Sequence, residues 1–157
     1  KYKNYNMMNI NELKNFVNKK SRLIGVDMGS KRVGLSISDE NRKIATPLKT
    51  INYENIQILI DELEKIVNEN KVHAIVFGNP KNMDGSEGSS SQSVKDKVKL
   101  VSEKIKIPVF LWDERLSTVG AFNLSSQLDV NVTKRVKNID KNAAAFILQG
   151  VLDFLNN

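Results

Sequence analysis

The fold of this chain is decided by the stretch RLIGVDMGSKRVGLSISD, residues 22–39. It predicts a buried strand over 22–28, a tight turn that begins at Gly29, and a second strand over 32–38. A turn this short makes the two strands antiparallel. Asp27 stands near the end of the first strand between Gly25 and Gly29, and glycine lets a phosphate or a hydrated metal ion approach the backbone closely. Loops also use Asp-x-Gly freely, so the motif needs support from elsewhere in the chain.

Strands and helices alternate after this hairpin. A third strand is predicted over 44–51, and Pro47, which has no N–H to donate, indicates an edge or a bulge there. Apolar spacing predicts helices and strands at 10–17 (helix), 56–67 (helix), 74–77 (strand), 94–105 (helix), 108–112 (strand), 116–128 (helix) and 140–155 (helix). Single helices between the later strands imply parallel crossovers. The predicted fold class is therefore α/β, a mixed five-stranded sheet covered by helices, in a single domain over 21–157 that follows an N-terminal extension, residues 1–20.

Composition excludes several classes of protein. A chain of 157 residues, 40% hydrophobic and 27% charged, is typical of one globular domain. The absence of cysteine excludes disulfides and thiolate metal sites. No apolar run approaches the roughly 20 residues that span a bilayer, and residues 1–20 lack the apolar block of a signal peptide. We therefore expect a cytoplasmic protein with no membrane partner.

Basic residues dominate the charge, with a net charge of +6 and a sequence pI near 9.5. Two interpretations are open, a nucleic-acid partner or a solvated lysine-rich surface. Clustering favours the first, because basic residues flank both the early hairpin and a late acidic residue, Asp140: Lys31, Arg32, Arg42, Lys43, Lys134, Arg135, Lys137 and Lys141. Aromatic residues are few and do not alternate with these clusters, so base stacking is not expected to be the main mode of recognition.

Two further acidic sites follow far along the chain. Asp113-Glu114-Arg115 comes directly after the fifth strand, and Asp140 is predicted to open the last helix. Each has a purely structural explanation, since acidic residues favour the first turn of a helix and aspartate is a common N-cap. Their order along the fold nevertheless lets them meet Asp27 at one sheet edge, where either Asp113 or Glu114 could point inward. Three carboxylates without His or Cys suit Mg²⁺ or Mn²⁺, and two such ions about 4 Å apart can activate water and stabilise a leaving oxygen.

The loop after the fourth strand is rich in small residues. Residues 78–91 read GNPKNMDGSEGSSS and lead into a helix. Backbone N–H groups at such a place can hold an anion. A flexible surface loop with a serine cap explains the same pattern.

Together these motifs resemble the bacterial YqgF family, whose members are also described as pre-16S rRNA nucleases or Holliday junction resolvase-like proteins. The resemblance is carried by four segments in order: 25–34 with 38–39, 78–80 with 83–88, 113–118, and 137–144 with 147–149. It implies a ribonuclease H-like fold and a metal-dependent endonuclease, with maturation of the 5′ end of pre-16S rRNA as the favoured role and DNA junction resolution as an older one. It further implies that Asp27, Glu114 and Asp140 are the catalytic metal ligands. Lys31, Arg32, Arg115 and Lys137 would contact nucleic acid.

Other interpretations make different demands on the chain. A phosphate-transferring ATPase or sugar kinase also carries Asp-x-Gly on its first strand, but it needs a second domain and a second phosphate loop, for which the chain has no motif. A nucleic-acid-binding module without activity is not excluded by sequence. One departure from the family is Asn79, which stands where leucine is usual. We expect a monomer or a weak homodimer, and a junction resolvase would need the dimer to cut two symmetry-related strands.

Overall fold

The computed structural model describes residues 10–17, 20–80, 84, 86, 88–113 and 132–156, and for Ile10 and residues 132–141 it describes the backbone alone. The elements in chain order are α1 (Ile10–Phe16), β1 (Arg22–Met28), β2 (Arg32–Ser38), β3 (Ala45–Asn52), α2 (Ile56–Asn70), β4 (Val72–Asn79), α3 (Ser89–Lys104), β5 (Val109–Asp113) and α4 (Val132–Leu155).

The five strands form one mixed sheet in the order β3-β2-β1-β4-β5. β2 pairs antiparallel with both β1 and β3, whereas β4 pairs parallel with both β1 and β5. The predicted α/β class and mixed five-stranded sheet are therefore confirmed. The expectation for Pro47 is confirmed as well, since β3 is an edge strand and the register shifts where Ser36 faces Pro47.

Helices cover both faces of the sheet because strand side chains alternate between the faces. We call one side the α3 face: there Ile24 and Val26 pack with the apolar stripes of α2 and α3. We call the other side the α4 face: there Leu23 packs with Leu148 of α4 and with Leu13 of α1. Leu13 is fully buried, so a helix of the predicted N-terminal extension contributes to this core.

The last helix differs from its prediction. It begins at Val132, so Asp140 lies inside the helix, and the prediction that Asp140 opens it was wrong. The physical reason is visible in VTKRVKNI, residues 132–139, where apolar residues at helical spacing extend the helix backward. An aspartate that can cap a helix does not have to start one. The predicted helix at 116–128 lies outside the described residues.

Candidate active site

Three parallel strands end at the same edge of the sheet, which we call the carboxyl edge. Their last residues are Met28 of β1, Asn79 of β4 and Asp113 of β5, and Asn79 and Asp113 are register partners. Ligands of open α/β sheets collect outside this edge. Asp27 is half-buried one position before the end of β1, and its partner on β2 is Gly34, so no side chain from that partner covers it.

Asp27 and Asp113 lie on opposite faces of the sheet. Leu23 belongs to the core of the α4 face, so the alternation of β1 places Gly25 and Asp27 on that face too. In β5, Val109 and Leu111 pack on the α3 face, which places Asp113 there. Of the two acidic residues that the sequence left as alternatives, Asp113 is therefore not on the side of Asp27. Glu114 and Arg115 lie outside the described residues.

Gly25 is the point where α4 touches β1. A Cβ built on Gly25 would lie 2.5 Å from Ser36 Oγ, 2.8 Å from Leu148 Cβ and 2.9 Å from Ala144 O, all closer than real side chains approach. Ser36 Oγ donates to Ala144 O at 2.8 Å and to Gly25 O at 3.3 Å. Glycine at this position therefore lets the helix backbone rest directly on the strand.

Contacts further along α4 set its direction. Gln149 Oε1 accepts from Ala45 N at 2.9 Å, and Asn156 Nδ2 donates to Arg42 O at 2.8 Å. Arg42 and Ala45 lie around the β2–β3 turn, beside the amino end of β1, so α4 runs antiparallel to β1. The residues before Ala144 consequently head toward the carboxyl edge.

The direction of α4 brings the backbone of Asp140 toward the end of β1. Asp140 precedes Ala144 by one helical turn, about 6 Å of rise, and Asp27 follows Gly25 by two strand residues, about 7 Å. The two steps are similar in length and point the same way from one contact. The side chains of Asp140 and Lys137 are not among those described, so the predicted carboxylate cluster stays a prediction.

The turn after β1 places two of the predicted cations. Gly29 N donates to Arg32 O at 2.8 Å, and Tyr53 holds the turn from outside, with Tyr53 Oη donating to Gly29 O at 2.9 Å and Tyr53 N donating to Lys31 O at 3.1 Å. Lys31 and Arg32 are exposed at the same end of β1 as Asp27. Tyr53 has no counterpart among the sequence predictions, because its contact with the turn is not local and no pattern marks it.

Asn79, the departure from the family pattern, is 4% exposed in the last position of β4. Its Oδ1 accepts from Ser91 Oγ at 2.6 Å, and the Ser91 side chain is fully buried. The polar side chain of Asn79 therefore has a hydrogen-bond partner on α3, and this bond joins the helix to the carboxyl edge. Of the loop after β4, residues 81–83, 85 and 87 lie outside the described residues.

Asp39 is another acidic residue in the segments that resemble the family, but it lies at the opposite edge of the sheet. Its carboxylate accepts backbone N–H groups from Ile44 at 2.9 Å, Lys43 at 2.8 Å and Asn41 at 3.2 Å. These bonds, that of Ile44 first, lower the pKa of Asp39 below its ordinary value of 3.8. Asp39 thus shapes the β2–β3 turn and lies away from the carboxyl edge.

Among the described residues there is no group of three or more acidic or histidine side chains that could hold a metal ion. Of the three predicted metal ligands, Asp27, Glu114 and Asp140, only Asp27 has a described side chain, so the described residues alone could not form this group. No helix in the described part of the chain is long and apolar enough to cross a membrane.

Comparison with known proteins identifies the family. The model of the RuvX family, described as Holliday junction resolvase, matches residues 21–154, and the chain belongs to this family. A Pelagibacter ubique protein named "Putative pre-16S rRNA nuclease" is 62% identical over 96% of this chain and all of its own length. A protein of the same name from Rhodobacter capsulatus is 42% identical over 85% of this chain and 84% of its own. Membership makes the chain a nuclease, a hydrolase that acts on phosphodiester bonds.

Solved structures agree on the fold. RuvC of Thermus thermophilus superposes with a TM-score of 0.53 at 10% identity, over 87% of this chain and 97% of that one. The same protein in complex with a Holliday junction substrate gives a TM-score of 0.52 over 86% and 96%. At this identity the likeness establishes the ribonuclease H-like fold, as predicted, and nothing about substrate.

Proposed function

We propose that this protein is a metal-dependent endonuclease that matures the 5′ end of pre-16S rRNA. The observation that carries the site is the contact of Gly25 with Ala144, because the antiparallel run of α4 from that contact leads Asp140 toward the end of β1 that carries Asp27. The RNA substrate is supported by the relative that matches along its whole length at 62% identity.

The proposed metal ligands are Asp27, Glu114 and Asp140. They offer oxygen donors alone, which suits Mg²⁺ or Mn²⁺, and Gly34 opposite Asp27 leaves room beside the carboxylate. We assign Glu114 in preference to Asp113 because Asp113 lies on the α3 face, away from Asp27. When bound, the metal would supply an activated water and charge stabilisation at the leaving oxygen.

The chain's own cations would hold the substrate. Lys31 and Arg32 are exposed at the carboxyl edge, and we propose that they, with Arg115 and Lys137, neutralise phosphates on either side of the cleaved bond. Binding should then weaken steeply as salt is added. This role places the protein in the cytoplasm, which agrees with a chain that has no cysteine.

Cleavage of a four-way DNA junction is the second candidate, favoured by the description of the family model. It makes a separate demand, because two symmetric cuts require two copies of the chain on one junction. The junction role therefore predicts a dimer on the junction, which sedimentation of the complex would detect.

The deciding assay compares wild type, Asp27→Asn and Asp61→Asn. Asp61 is an exposed residue of α2 far in sequence from the site, so Asp61→Asn controls for the loss of one carboxylate. Substrates are a 16S rRNA precursor with its 5′ extension and a four-way DNA junction, each with Mg²⁺, Mn²⁺ or EDTA. We expect wild type and Asp61→Asn to cut the precursor with metal, and Asp27→Asn to lose activity at least a hundredfold. Cutting that survives EDTA, or that survives Asp27→Asn, would refute the metal mechanism.

A further inference from the structure

A groove of about 340 Å³ opens at the carboxyl edge on the α3 face. The turn after β1 forms one wall through Gly29 and Ser30, and α3 forms the other through Ser90, Ser93 and Lys97. Met28 also lines the groove, which therefore begins one residue after Asp27 but lies on the other side of the sheet. No carboxylate is among the described residues that line it, whereas it has a lysine and several serine hydroxyls. This lining suits an anion.

Lys97 is held in place by Tyr53. Lys97 Nζ donates to Tyr53 Oη at 3.0 Å and lies 5.6 Å from the centre of the tyrosine ring, within the range of a cation–π contact. Tyr53 Oη in turn donates to Gly29 O at 2.9 Å. A lysine ammonium has three donors, and Tyr53 uses one of them. The contacts thus link a cation on α3 to the turn that follows Asp27.

We propose that Lys97, positioned by Tyr53, binds a backbone phosphate of the nucleic-acid strand next to the bond that is cut. The inference rests on the proposed function. A strand that passes the end of β1 crosses the Gly29 turn and enters the groove, where Lys97 neutralises one phosphate and the serine hydroxyls donate to its oxygens. The contact reads no base, so it raises affinity for any sequence and sets the register of the strand over Asp27.

The test measures binding with cleavage disabled. In an Asp27→Asn background, Lys97→Met is compared with Lys99→Met, which removes the same charge from an exposed position of α3 outside the groove. The probe is a fluorescein-labelled single-stranded RNA that spans the 5′ end of 16S rRNA, titrated by anisotropy at several salt concentrations. We expect Lys97→Met to lower the slope of log K against log salt by about 0.7, the share of one phosphate on a single strand, and to weaken binding by roughly threefold to tenfold. Lys99→Met should change the slope far less.

Two further measurements separate a phosphate contact from a structural effect. Tyr53→Phe keeps the ring but removes the hydroxyl, and we expect part of the loss seen with Lys97→Met while circular dichroism stays unchanged. In the same Asp27→Asn background, a scan that replaces single phosphates of the strand by methylphosphonates should find one position that weakens binding when Lys97 is present but has no effect on Lys97→Met. A scan without such a position, or equal slopes for Lys97→Met and Lys99→Met, would overturn the proposal.

The proposal and the proposed function can fail separately. If Lys97→Met and Lys99→Met have equal salt slopes while wild type still cuts RNA, the phosphate contact in the groove is rejected and the proposed nuclease activity is kept. If Lys97→Met and Lys99→Met differ clearly in salt slope but wild type cuts neither RNA nor the junction, the groove is kept as a binding site and the catalytic role is rejected.

Discussion

Replacement of Gly25 by alanine tests whether α4 rests on β1 as described. Ordinary contact for a Cβ begins near 3.4 Å, whereas the new methyl would lie 2.8 Å from Leu148 Cβ and 2.9 Å from Ala144 O. Ser36 Oγ can rotate away, but it would then lose its bond to Ala144 O. The helix must therefore move by about half an ångström, and overpacking of this kind costs about 1–3 kcal/mol. Because a shift of about 1 Å can cost a hundredfold in rate, we expect cleavage to fall about tenfold.

Urea unfolding and the RNA cleavage assay would be run on the same Gly25→Ala protein. Ser36→Ala is the control, since it loses the bond to Ala144 O without adding a methyl at the strand, and about 1 kcal/mol is expected. Leu148→Ala combined with Gly25→Ala should give no rescue, because the clash involves Leu148 Cβ, which alanine keeps. Wild-type stability together with wild-type cleavage in Gly25→Ala would refute the contact and, with it, the argument that leads Asp140 to Asp27.

Three further predictions concern the scaffold. Lys71, the exposed C-cap of α2, has φ 53°, where glycine is favoured, so Lys71→Gly should stabilise the protein by about 0.5–1 kcal/mol in thermal unfolding while Lys71→Ala does not. Asn79→Leu should cost about 1–3 kcal/mol because it leaves the buried Ser91 hydroxyl without its acceptor, and adding Ser91→Ala should recover most of this in a double-mutant cycle; additive losses would contradict the bond. Asp39 has a pKa below 3.8, so its stabilisation is present above that pH and is lost as the pH falls through its folded pKa. The stability difference between wild type and Asp39→Asn should therefore be constant above about pH 5 and shrink in acid, and a pH-independent difference would contradict this.

Local patterns predicted most of the sheet. The structure confirms the predicted strands, the tight turn at Gly29 and the edge strand that Pro47 indicated. Each of these predictions depended only on residues that are neighbours in sequence. Helix length was harder to predict, because a residue type that is favoured at a helix cap, such as Asp140, can also lie inside a helix.

Contacts between distant residues account for what the sequence missed. Neither the Tyr53 bond to Gly29 O nor the Lys97 bond to Tyr53 has a local signature, since each depends on how α3 and β3 are placed. Ser36 did carry a signal, because a serine between apolar residues of a strand that is covered on both faces has to find a buried acceptor. The face that Asp113 occupies could not be predicted either, because it follows from the packing of Leu111 on the α3 face, while Glu114 stays a prediction outside the described residues.

Manganese binding tests the shared metal site most directly. Titration of Mn²⁺ followed by electron paramagnetic resonance, in which the signal of the free ion is lost on binding, would compare wild type with Asp27→Asn, Asp140→Asn and the surface control Asp61→Asn. We predict that Asp27→Asn and Asp140→Asn each weaken Mn²⁺ binding at least tenfold and that Asp61→Asn leaves it unchanged. Wild-type Mn²⁺ affinity in Asp140→Asn would contradict a site that these two residues share.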